Sequence, residues 1–118
     1  MSEKQKLLIV DDSELNRDIL KEILGCSNDY LEAENGTQAI QILEVHPEID
    51  LMLLDINMPQ MNGFQVLEHM RELQWIDEVP VVMISSEESV EIMRKAYDLG
   101  ITDYISRPFD AVIVKKRV

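Results

Sequence analysis

Asp11 and Asp12 close one apolar run, Asp55 closes another, Ser85 follows a third, and Arg107 follows a fourth that holds Tyr104. If those runs are parallel strands, every one of these groups lies on the same edge of a sheet, where open α/β sheets take their ligands. Three carboxylates meeting there would repel. Two of them ~4 Å apart oppose each other by about 4 kcal/mol at an effective dielectric near ~20. A shared proton offsets that repulsion, and so does a hard, oxygen-seeking divalent cation of the Mg²⁺ type. Arg107 would neutralise one charge more. Phosphoryl transfer uses the same parts: an in-line nucleophile, a cation on the equatorial oxygens, a positive side chain and a hydroxyl donor. Asp55 would be the carboxylate nucleophile and Ser85 the donor. Each residue alone also has an ordinary reading. Asp12 would cap a helix, Ser85 would end a strand, and Arg107 would be solvated. Their coincidence on one edge is the signal.

The elements that must position them alternate. Lys6 to Val10 reads as a strand, and Ser13 or Asp12 caps a helix to Leu24 with the stripe Leu15, Ile19, Leu20, Ile23 and Leu24, stopped by Gly25. Tyr30 to Glu34 alternates as a second strand. After the turn signal Asn35-Gly36, Ala39, Ile40 and Leu43 recur at helical spacing up to Pro47. Ile49 to Ile56 is interrupted only by Asp50 and Asp55, as in a strand covered on both faces. A loop from Asn57 to Gly63 leads to a helix carrying Phe64, Leu67, Met70 and Leu73. Val79 to Ile84 gives the fourth strand, Val90, Met93 and Tyr97 a helix stopped by Gly100, and Tyr104 to Ser106 the fifth strand. Asp110 caps a last helix through Val118. Five strands alternating with helices make an α/β fold with a parallel sheet covered on both faces.

The totals agree with one domain of 118 residues whose apolar share, almost half, suffices for a core. A net charge of −12 argues against direct binding of nucleic acid and against an anionic membrane surface. No apolar run approaches the ~20 residues of a membrane span, and the start has no signal-peptide core. The single Cys26 is expected to be a buried or half-buried thiol and fits a reducing, cytoplasmic setting. His46 and His69 read as surface residues, Met70 and Met93 as core filling, and Trp75 as partly buried packing.

The segments Leu7-Leu8-Ile9-Val10-Asp11-Asp12, Leu53-Leu54-Asp55-Ile56-Asn57-Met58-Pro59 with Met61-Asn62-Gly63, Val82-Met83-Ile84-Ser85-Ser86 and Asp103-Tyr104-Ile105-Ser106-Arg107-Pro108-Phe109 resemble, in order and spacing, the receiver domain of bacterial two-component response regulators. The resemblance spans nearly the whole chain. It implies a flavodoxin-like strand order 2-1-3-4-5 and residues 1–118 as one receiver domain, which the missing stop after the final helix suggests is the front end of a longer multidomain protein. It implies that Asp55 accepts a phosphoryl group from a phosphohistidine on a sensor histidine kinase or phosphotransfer protein. Asp12, Asp55 and the backbone carbonyl of Asn57 would hold Mg²⁺ (or Mn²⁺), with Asp11 acting through the water shell. Ser85, Ser86 and Arg107 would bind the phosphoryl group. Ser85 and Tyr104 would be the switch pair, and the peptide before Pro108 is a candidate for the cis form. The face of the fourth helix, fifth strand and fifth helix would then engage a downstream effector domain or protein. Dimerisation through that helix and strand is left open. The chain would be a phosphoacceptor that assists its own transfer, and not an enzyme.

Two positions depart from the family pattern. Arg107 stands where the family has Lys, keeping the charge but replacing a point contact by a planar fork. Ser86 stands where a smaller residue is usual. Arg107 leaves open a receiver-fold interaction module with altered or phosphate-independent output. An aspartyl phosphatase would need a second acid where Asn57 stands, and Asp11-Asp12-Ser13-Glu14 would repel the phosphate of a flavin.

Overall fold

In the computed structural model, the described residues are 5–26, 28–56, 58, 61–75, 78–85 and 90–106. They form β1 (Lys6–Val10), α1 (Glu14–Leu24), β2 (Asp29–Ala33), α2 (Gly36–Val45), β3 (Leu51–Asp55), α3 (Gly63–Glu72), β4 (Val81–Ser85), α4 (Val90–Asp98) and β5 (Asp103–Ser106). The strands pair in parallel in the order β2-β1-β3-β4-β5. Every strand and helix expected within the described residues is present, with ends shifted by a few residues. The last helix expected from Asp110 lies outside them. None of the described helices is long and apolar enough to cross a membrane.

Strand alternation divides the core. Ile9, Leu53, Val82, Ile84 and Ile105 face α1 and its Leu20. Leu8, Val10, Met52, Leu54, Val81, Met83 and Tyr104 face the other way, against Ala39 and Leu43 of α2, Val66, Leu67 and Met70 of α3, and Ala96 of α4. Both faces being covered explains why β3 and β4 read as near-continuous apolar runs.

Side chains start the helices. Ser13, not Asp12, caps α1 by accepting from the Asn16 N–H. Asn35 caps α2, and Asn62 forms a reciprocal capping box with Gln65 on α3. The ends of α3 and α4 share one motif. In α4, the Gly100 N–H donates to the Tyr97 carbonyl and the Ile101 N–H to that of Ala96, with Gly100 at φ 104°. In α3, Gln74 donates to Arg71 and Trp75 to Met70, but the left-handed position is Gln74 itself, at φ 63°. A stop built without glycine has no sequence signature, which is why the α3 pattern gave no end point.

Two expectations need correction. Leu15 is 68% exposed, whereas Arg17 takes the inward position of α1 with Leu20. Cys26 is exposed, in the turn after Gly25 ends α1. Met70 is fully buried, and Met93 and Trp75 pack partly buried on the core, as expected.

The close approach of α3 to the end of β3 depends on Gly63. Its N–H donates to the Ile56 carbonyl at 2.9 Å, and an added Cβ would stand 2.6 Å from the Asp55 carbonyl oxygen and 2.9 Å from the Ile56 Cα. Both obstacles are backbone, so Gly63→Ala is expected to destabilise the fold by about 1–3 kcal/mol. Gln74→Gly relieves the left-handed conformation, partly offset by the freer unfolded chain, and is expected to stabilise by about 1 kcal/mol. Urea unfolding midpoints of the two variants check both signs.

Candidate functional site

The sheet order puts β1 beside β3, and the register pairs Val10 with Leu54. Asp11, one residue past β1, is therefore level with Asp55, the last residue of β3. One carboxylate oxygen from each of Asp11, Asp12 and Asp55 lies within 4.8 Å of the others. Asp11 and Asp55 are each 1% exposed, while Asp12 is open to solvent. Two buried acids and one exposed acid thus converge at the end of the sheet.

Backbone hydrogen bonds hold these strand ends past the regular ladder. The Asp11 N–H donates to the Ala33 carbonyl, and the Ile56 N–H donates to that of Ile84. The Asp11 carboxylate accepts the Ser13 N–H at 2.9 Å, coupling the acid to the start of α1. Carboxylate oxygens are hard donors, and the set fits a divalent cation of the Mg²⁺ or Mn²⁺ class in chemistry and spacing.

Ser85 ends β4, fully buried, one register step beyond the Ile84 that pairs with Asp55. Alternation sets it on the face of Met83, whose partner across β5 is Tyr104. Tyr104 is itself buried, among the residues facing α3 and α4. The structure therefore brings together Asp11, Asp12 and Asp55, and places Ser85 and Tyr104 on one face of two adjacent strands beside them. Asn57, Ser86, Arg107 and Pro108 lie outside the described residues.

Sequence reasoning passed over Arg17. Its Nη1 donates to the Asp11 carbonyl oxygen at 2.6 Å and its Nε to Glu32 Oε1 at 3.0 Å, and the side chain is buried. The available signal was its spacing: Arg17, Leu20 and Leu24 share the inward stripe of α1, which puts a charge where a leucine is ordinary. Lys21 joins the same carboxylate at 2.9 Å. Burial of Glu32 opposes its charged form, but the hydrogen bonds from Lys21 and Arg17 and their charges outweigh it, and the Glu32 carboxyl is held below its ordinary value.

A depressed acid contributes stability above its unfolded pKa, and that contribution disappears as the pH falls through the folded value. Wild type is expected to exceed Glu32→Gln in urea midpoint at neutral pH. The difference should be below about 1 kcal/mol, given the exposure of the carboxylate, and should close as the pH drops below about 4.3. A difference that persists in acid contradicts the assignment.

Comparison with known proteins adds a family and relatives. The family model of the response regulator receiver domain matches residues 7–118. The chemotaxis protein CheY1 of Helicobacter pylori is 34% identical over 115 residues, covering 96% of this chain and 93% of that one. Among solved structures, the CheX-CheY-BeF3-Mg+2 complex from Borrelia burgdorferi superposes with a TM-score of 0.88 at 29% identity, covering 96% of this chain and 85% of that one. A putative two-component response regulator/GGDEF domain protein superposes equally well, with a TM-score of 0.88 at 26% identity. There the match covers 98% of this chain but 47% of the other, so the chain spans about half of that protein's length.

Proposed function

The chain belongs to the response regulator receiver domain family, and on that premise we propose that it is a phosphoacceptor switch of two-component signal transduction in which Asp55 takes the phosphoryl group. The observation that carries this reading is the convergence of Asp11, Asp12 and Asp55 at the sheet edge, with Asp55 ending a buried strand. The donor is a phosphohistidine on a sensor histidine kinase or phosphotransfer protein. An Asp55 carboxylate oxygen attacks phosphorus in line as the bond from phosphorus to the imidazole nitrogen breaks, and an acyl phosphate results.

Asp12 and Asp55, with the Asn57 backbone carbonyl, are the proposed ligands of Mg²⁺ or Mn²⁺, and Asp11 acts through its water shell. When bound, the cation offsets the mutual repulsion of the acids and the charge on the equatorial phosphoryl oxygens. The chain's own groups do the rest. β3 and the Gly63 contact fix the backbone behind Asp55. Ser85 donates its hydroxyl to a phosphoryl oxygen, with Ser86 and Arg107 binding beside it.

Phosphorylation adds about −1.5 to −2 charges. Inverting a two-state population from roughly 1:99 to 99:1 requires about 5.5 kcal/mol of differential interaction, against about 1.5–3 kcal/mol for one charge-assisted contact. Several contacts must therefore change together. Ser85 and the Tyr104 ring are the proposed coupled pair, and the readout surface is α4 with β5. Val90 and Tyr97 of α4 are exposed there, Tyr97 Oη reaches Asp103 at 3.4 Å, and Lys95 sits 4.5 Å over the Phe64 ring of α3. The partner there is an effector protein, or an effector domain of the kind carried beyond the matched part of the GGDEF protein, with residues 1–118 as one receiver domain. Arg107 acts on how far the switch moves, since its fork contacts a phosphoryl oxygen differently from an ammonium.

Incubation with acetyl phosphate and Mg²⁺, followed by intact-mass measurement, is expected to add one phosphoryl group to wild type and none to Asp55→Asn. Omitting the divalent cation should abolish the addition. An unchanged wild-type mass with Mg²⁺ present would favour an interaction module that ignores phosphate.

A further inference from the structure

Among the described residues, the buried charged side chains are Asp11, Asp55 and Arg17. The two acids belong to the site already described. Arg17 does not, yet it is tied to that site through the main chain. We propose that Arg17 is a positioning residue for the cation site: by holding the Asp11 carbonyl, it fixes the peptide from which the Asp11 and Asp12 carboxylates are aimed. This rests on the cation-site reading above.

The carbonyl that Arg17 grips, at 2.6 Å, is half of the planar peptide joining Asp11 to Asp12. Rotation of that plane would swing both acids at once. The same residue is held on its other side, where the Asp11 N–H donates to the Ala33 carbonyl at 3.1 Å. Ala33 directly follows Glu32, and Glu32 receives the Arg17 Nε at 3.0 Å. The connections close a ring: Asp11 carbonyl, Arg17 guanidinium, Glu32 carboxylate, Ala33 carbonyl, Asp11 N–H. Arg17 is anchored in turn, because its own N–H donates to the Ser13 carbonyl at 3.1 Å and the Ser13 N–H donates to the Asp11 carboxylate. The guanidinium, planar and with several donors in fixed directions, serves the carbonyl and the carboxylate together.

The charge of Arg17 would act in the opposite direction. A guanidinium beside a cation site repels the cation, and Glu32 compensates that charge. If charge alone mattered, removing Arg17 would tighten cation binding. If positioning matters, removing it weakens binding. The sign of the change separates the two roles.

Free Mn²⁺ counted by its electron paramagnetic resonance signal gives the dissociation constant directly, without phosphorylation. Arg17→Ala is expected to raise that constant about tenfold or more, the usual effect of losing a group that orients a metal ligand. Lys21→Ala removes an equal charge and another Glu32 hydrogen bond one turn along α1, where no contact with Asp11 is made. It is expected to stay within about twofold of wild type, as for other exposed ion pairs. Should Arg17→Ala fail to fold by urea titration, the double variant Arg17→Met with Glu32→Gln leaves no unpaired buried charge and is expected to show the same loss. Wild-type or tighter Mn²⁺ binding by a folded Arg17 variant overturns the proposal while leaving the cation site standing. Loss of equal size in Lys21→Ala overturns it as well. Absence of Mn²⁺ binding by wild type overturns both this inference and the cation site on which it rests.

Discussion

Gathering oxygens of three carboxylates within 4.8 Å of one another is opposed by their own charge, and two of the three are taken almost wholly out of water. A chain does not fold toward such a cluster for its own sake. The acids are carried there by strands whose side chains are almost all apolar, and burial of those strands on both faces supplies the driving force. At ~25 cal/mol per Å² of apolar surface removed from water, the cores on the two faces offset the repulsion of a few clustered charges. Like charges gathered at the sheet edge favour whatever brings positive charge to it.

The geometry that holds this arrangement is mostly backbone. Parallel pairing in the order β2-β1-β3-β4-β5 sets the depth of each strand end relative to its neighbours. A one-residue slip of β3 against β1 would turn Asp55 to the opposite face and bring Leu54 to its place beside Asp11. The N–H groups of Asp11 and Ile56 extend the ladder just past the regular strands, and Gly63 lets α3 return against the back of Asp55. Arg17 and Glu32 add side-chain connections on the β1 and β2 side. The acids are thus held by backbone contacts from several elements, while α4 has Ala96 as its fully buried residue. That contrast would suit the switch role proposed for α4.

The strands and helices were legible in the sequence because they follow from alternation and from where apolar runs end in acids, while their order in the sheet came from the resemblance to the receiver family. Asp11, Asp12, Asp55 and Ser85 stood out because a charge or hydroxyl closing a buried strand needs a reason, and the structure gathers the three acids with Ser85 one strand away. What escaped was decided by contacts between elements far apart in sequence. Leu15 reads as part of the α1 stripe, but Arg17 turns inward because the Asp11 carbonyl and Glu32 wait there, and periodicity does not reveal those partners. The end of α3 is hidden because Gln74 occupies a conformation usually given to glycine. Cys26 looks like a core thiol by residue type, yet it lies in the turn after Gly25 and is exposed. Strand ends shifted because pairing begins where a neighbour offers a partner: Lys6 meets Asp29, so β2 starts one residue before Tyr30.

The identity of the acceptor is the centre of the functional proposal, and borohydride reduction of the phosphorylated protein tests it most directly. An aspartyl acyl phosphate is reduced to homoserine, which proteolysis and fragment mass spectrometry assign to a position. Homoserine at position 55, dependent on Mg²⁺ and on the phosphodonor, is the expected result. Homoserine at position 11 or 12, or at no position despite bound phosphate, would contradict Asp55 as the acceptor.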